Sequence, residues 1–112
     1  MRDENEIRFI VKTTLQELIR MGLIDFRRKQ AYAEIKQRLM QYYLIGDDPE
    51  LEEVLGEISS DEYFPIISFC FEDLYTTEQI ASFLGRDAST IARNKRRLLL
   101  ELHKRLDNER NE

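Results

Sequence analysis

No stretch of this 112-residue sequence approaches the roughly 18 uninterrupted apolar residues that a membrane span requires. The N-terminus, Met1-Arg2-Asp3-Glu4, is charged rather than signal-like, so a cytoplasmic location without membrane attachment is expected. One cysteine, Cys70, excludes an internal disulfide and a zinc knuckle built on paired thiols. It lies among Ile67, Phe69 and Phe71, where a free thiol behaves as a small hydrophobe. The single histidine, His103, lacks a second histidine or cysteine as co-ligand, so it reads as a surface side chain near a helix C-terminus. No nucleophile with a nearby base and no nuclease-like carboxylate cluster can be assembled from what remains. The expectation is therefore a protein with no metal, no cofactor and no enzymatic activity.

The most informative absence is regional. Between Leu39 and Gly85 there is no lysine or arginine at all, against eleven acids. Residues Met1 to Arg38 carry a net +3 and Arg86 to Glu112 another +3, so the overall charge of −5 hides a strong segregation. Within Arg86 to Arg105, seven bases stand against two acids. The acidic middle reads as helix-start acids and solvated surface that can repel misplaced DNA or dock a basic partner. Asp47-Asp48-x-Glu50 lacks the ligand pattern and turn glycine of a calcium loop.

At 42% hydrophobic, the chain has apolar material for one modest core. Ile7, Ile10, Val11, Leu15, Leu18 and Ile19 recur at gaps of three and four and predict a first helix. Asp3 with Glu6 resembles a capping box at its start, and Gly22 is its predicted stop. Ala31, Tyr32, Ile35, Leu39, Tyr42 and Tyr43 predict a second helix, ended by Gly46 and folded back on the first. Phe9 and the tyrosines read as core in this hairpin. Asp48-Pro49 starts a short third helix with Leu51, Val54, Leu55 and Ile58. Phe64 to Phe71 is aromatic and partly β-branched, but Pro65 opposes a central strand and no partner strand exists, so a helix is predicted there too. Thr76 to Leu84 and Ser89 to Leu106 complete an all-α fold of about six helices. Residues 1–46 form the predicted N-terminal hairpin and residues 47–112 the remainder, together one compact unit; Asp107 to Glu112 reads as frayed.

The last two helices carry the functional signal. Thr76 and Gln79 make a capping box, Ile80 and Leu84 face inward, Ala81 is small where a helix must cross closely, and Gly85 can supply a positive φ. Ile91, six residues after Gly85, anchors the next helix, the arrangement of a helix-turn-helix. At 100° per residue, Ala88, Leu98, Leu102 and Leu106 gather on the inner side with Ile91. Ser89, Arg93 and Arg96 face outward, with Ala92 and Arg97 flanking. Arg93 and Arg96 suit bidentate contacts to guanine, Ala92 a thymine methyl, and Ser89 either kind of base. Thr76, Thr77, Arg86, Thr90 and Arg97 suit phosphates, which fix position without reading sequence. Two residues sit awkwardly: Lys95 falls on the inner side, and Leu100 points outward. The bland alternative is a solvated basic face on an ordinary helical hairpin.

The stretch Asp61 to Leu106 resembles region 4 of sigma-70-family factors, and more closely the sigma-like phage regulators of the ArpU and RinA type. The likeness rests on Glu78-Gln79-Ile80-Ala81, Leu84-Gly85, Ser89-Thr90-Ile91 and the Arg-Asn-Lys-Arg-Arg-Leu run from Arg93. It implies an all-α fold, control of phage or prophage genes, and base-facing positions at Ala88, Ser89, Ala92 and Arg93. Ala88 and Ala92 are short and apolar, so they offer no hydrogen-bond readout.

The expected function is a sequence-specific regulator of transcription that binds double-stranded DNA. A protein-interaction adaptor, for example one docking on RNA polymerase, is the alternative. Two roles stay open for the N-terminal helices: completing the core, or forming a homodimer as two-fold readers of DNA half-sites do.

Overall fold

A computed structural model describes residues 4–110 and is all-helical: α1 (Glu4–Ile45), α2 (Pro49–Glu57), α3 (Pro65–Phe71), α4 (Thr77–Leu84) and α5 (Ala88–Arg110). No strand occurs among the described residues. Asp3, the expected first cap, lies outside them. The expected six helices are five, because the predicted stop at Gly22 is helical and α1 continues through it. A glycine inside a helix costs only about 1 kcal/mol relative to alanine, and no proline follows to enforce the break. The helix ends where Gly46 (φ 82°) and Asp47 (φ 62°) turn left-handed, a conformation that glycine and aspartate tolerate.

The chain divides into two units, Met1–Gln30 and Ala31–Glu112, with the boundary inside α1. In the first, Ile7, Ile10, Val11, Leu15, Leu18 and Ile19 are exposed rather than buried, and so is Phe9. The helical period was legible, but this unit consists of one helical segment, which cannot cover its own apolar face.

The second unit holds the core. Asp48 caps α2 by accepting from the backbone N–H of Leu51 at 3.2 Å, and Pro49 occupies the first turn. The same carboxylate accepts from Nε and Nη2 of Arg38 at 2.7 and 2.8 Å, tying the end of α1 to the start of α2. Ile35 and Leu39 of α1, Leu51, Val54 and Leu55 of α2, and Leu98, Leu99, Leu102 and Leu106 of α5 form the larger apolar cluster. Tyr32, Tyr42 and Tyr43 pack against it. Helix α3 serves two clusters: Ile67 and Phe71 join the larger, while Ile66 joins Ile80, Ala81 and Ile91 in a smaller one. Burying such side chains contributes about 1.5–3 kcal/mol each before conformational entropy is counted.

Between α3 and α4 the chain passes through Leu74 at φ 59°, with its side chain 77% exposed. A branched side chain in the left-handed region is strained by roughly 1–2 kcal/mol. The backbone N–H of Tyr75 donates to the Phe69 carbonyl at 2.9 Å and closes this turn.

Candidate nucleic-acid interface

Thr76 and Gln79 fix where α4 starts. Thr76 Oγ1 accepts from the Gln79 backbone N–H at 3.2 Å, and Gln79 Oε1 accepts from the Thr76 backbone N–H at 2.9 Å. Gly85 ends α4 at φ 65°, its N–H bonded to the Ala81 carbonyl, and the chain enters α5 three residues later at Ala88. Ile80 and Ala81 meet Ile91 in the smaller cluster, so the two helices are held together by the residues whose spacing predicted it.

That packing sets the surface of α5. Ile91, Leu98, Leu102 and Leu106 are buried and Ala88 packs beside the smaller cluster. Leu99 is fully buried as well, which the spacing argument missed. Ser89, Ala92, Arg93 and Arg96 are all exposed, and their i, i+3, i+4, i+7 spacing puts them along one stripe in the first three turns. Arg93 makes no ion pair or hydrogen bond among the described residues. The Arg96 guanidinium lies 5.9 Å from the centre of the Tyr32 ring, at the outer reach of a cation–π contact.

The phosphate candidates divide differently. Thr76 is occupied by its capping box, while Thr77 and Thr90 are half-buried at the starts of their helices. Arg86 Nη2 donates to Glu62 at 2.9 Å. Arg97 is more fully engaged: Nη1 and Nη2 donate to the two carboxylate oxygens of Asp61 at 2.9 and 3.0 Å, and Nε donates to Asn94 Oδ1 at 3.1 Å. The hydrogen-bonded guanidinium holds Asp61 below the usual carboxylate range, helped by the Tyr63 N–H, and Asp61 in turn raises Arg97. At the far end of α5, Arg105 bonds Glu57 and Glu101, both at 2.9 Å.

Part of the acidic middle is thus the counter-charge of the basic helix, a pairing that sequence separation conceals. The two awkward residues are also resolved. Lys95 places its ammonium 5.5 Å above the Phe71 ring, and Leu100 is half-buried. His103 is a correction: its side chain is only 19% exposed, and Nε2 lies 2.9 Å from Glu34 of α1. It links two helices from a half-buried position instead of standing free in solvent.

Elsewhere, Phe69, Tyr75 and Phe83 form an aromatic triad with centroids 5.1–5.9 Å apart. Phe83 is 62% exposed there, with Leu74 also exposed. No protein-family model, curated protein or solved structure matches the chain.

Proposed function

We propose that the protein is a sequence-specific DNA-binding regulator of transcription in which α4, the Gly85 turn and α5 act as a helix-turn-helix, with α5 entering the major groove. The resemblance to sigma-like phage regulators suggests control of phage or prophage genes. The observation that carries the reading is the exposed guanidinium of Arg93, without ion pair or hydrogen bond among the described residues, on the same stripe as Ser89, Ala92 and Arg96, while Arg86 and Arg97 are paired with internal acids. A bidentate donor left unpaired near the N-terminal end of such a helix suits recognition of guanine. Arg86 and Arg97 reach phosphates by exchanging Glu62 and Asp61 for DNA oxygens, and Thr76, Thr77 and Thr90 lie at the helix starts where backbone N–H groups favour anions.

Selection of genomic fragments by the purified protein, followed by titration of the enriched DNA at several salt concentrations, tests this. Affinity that falls steeply with salt yet keeps a preference of roughly a thousandfold over scrambled DNA is the expected result. Weak, unselective binding would sink it.

A second reading, an adaptor that docks on another protein such as RNA polymerase, is favoured by one surface. Phe83 is exposed while its ring packs on Phe69 and Tyr75, and Leu74, which precedes Tyr75, is exposed as well. A stoichiometric complex with polymerase that Phe83→Ser abolishes, in the absence of salt-sensitive DNA binding, would put this reading first.

A further inference from the structure

Residues 4–30 carry eleven large apolar side chains that are 43–71% exposed. A helix with so much uncovered apolar surface needs a partner, and the chain itself says which. Along one face run Ile7, Val11, Leu15, Leu18, Gly22 and Phe26, separated by 4, 4, 3, 4 and 4 positions. This series reads the same in both directions, so the face is complementary in spacing to an inverted copy of itself. Charges of both signs flank the same face at each end: Glu4 and Arg8, paired at 3.0 Å, at its start, and Asp25 and Lys29 at its end.

We propose that this segment pairs with the same segment of a second copy, antiparallel, to make a homodimer. Setting Leu15 of one copy against Leu18 of the other brings Ile7 to Phe26 and Val11 to Gly22, where nothing lies within 4 Å of the position a Cβ would take. The same register brings Glu4 near Lys29 and Arg8 near Asp25, all four on the same side of the helix as the seam. A parallel pair would instead oppose Glu4 to Glu4, Arg8 to Arg8 and Lys29 to Lys29, and flanking charges of this kind set helix orientation. The five steps average 3.8 residues, and at 100° per residue all six positions fall within an arc of about 100°, so the seam persists on a nearly straight helix.

The area is sufficient. Six apolar side chains from each copy, the five of the face and Ile19 at its margin, remove roughly 700 Å² of apolar surface at about 60 Å² each. With an apolar fraction of about 60%, the whole interface comes to roughly 1,200 Å², the lower end for a stable pair.

Sedimentation of the full chain without DNA tests the pairing independently of any DNA-binding role. A particle of twice the chain mass is expected in the micromolar range. Leu15→Glu with Leu18→Glu, which crowds carboxylates at the seam, should give monomers while the thermal transition of the Ala31–Glu112 core persists. Orientation is read in a Cys70→Ala background: an Ile7→Cys chain mixed with a Phe26→Cys chain should form a mixed disulfide, and neither should cross-link to itself. A monomeric wild type, a dimer indifferent to the glutamates, or Ile7→Cys bonding to itself would each overturn the proposal. A monomer that floats with phosphatidylserine vesicles would overturn it too, and would give the face to a membrane surface.

Discussion

The carboxylate of Asp61 and the guanidinium of Arg97 are joined by two parallel hydrogen bonds, at 2.9 and 3.0 Å, across 36 positions of sequence. Fork-on-fork pairing of this kind is geometrically what a phosphate would offer the same arginine. In the proposed DNA complex, internal acid and external phosphate would compete for one side chain. Asp61→Asn removes the competitor and a negative charge beside the binding surface. DNA affinity is expected to rise about three- to tenfold at low salt, with the salt dependence steepening by roughly one phosphate contact. Folding stability should fall by about 0.2–1 kcal/mol, since the pair is partly exposed. Fluorescence anisotropy over a salt series and a urea melt measure the two effects, and unchanged affinity would remove Arg97 from the phosphate contacts.

Arg93 has no ion pair or hydrogen bond to lose among the described residues, so its replacement would separate the proposed recognition from folding. Arg93→Ala should leave the urea midpoint within about 0.5 kcal/mol of wild type while costing about 1–3 kcal/mol at its cognate base pair. Equal binding of cognate and scrambled DNA by mutant and wild type alike would remove the residue from the interface.

Acid should loosen the fold through two named carboxylates. Asp48 and Asp61 are both held below their ordinary range, chiefly by the hydrogen bonds from Arg38 and Arg97 respectively. A carboxylate with a lowered folded-state value contributes stability that is complete above its unfolded value, about 3.9, and that is lost as pH falls through the folded value. Urea midpoints should be flat with respect to these two groups above about pH 5 and decline below about pH 4. In Asp48→Asn with Asp61→Asn, the midpoint at pH 7 should be lower and the decline shallower. An undiminished acid slope in that variant would place the lability elsewhere.

Two left-handed positions should respond with opposite signs. Leu74→Gly relieves a strained backbone at an exposed site and should stabilise by about 1 kcal/mol, less the added freedom of the unfolded chain. Gly85→Ala puts a side chain where φ is 65° and should destabilise by about 1–2 kcal/mol. Thermal melts of the two variants are sufficient, and a shift of the same sign in both would contradict the turn geometry.

Much of this was legible beforehand, for identifiable reasons. Capping box, turn glycine and inward leucines are local signals, and Thr76, Gly85, Ile91 and Leu102 stand where periodicity and cap chemistry put them. Gly22 misled because a helix-ending residue is also tolerated inside a helix, at a cost the neighbouring residues can bear. Leu99 escaped because a helix packed against more than one element buries a wider arc than a single stripe. The pairs Asp61–Arg97, Glu62–Arg86 and His103–Glu34 were out of reach: many acids and bases are available, and only the folded path decides which meet.

Helix α5 supports the core with Ile91, Leu98, Leu102 and Leu106 while offering Ser89, Ala92, Arg93 and Arg96 to solvent. Because none of the outer four is buried, point substitutions there alter what the surface presents at little expense to folding. Insertions and deletions have no such liberty. One residue gained or lost between Ile91 and Leu98 would swing everything beyond it by about 100°, withdrawing the leucines from the interior. The same helix is thus permissive to spelling changes and closed to changes of length.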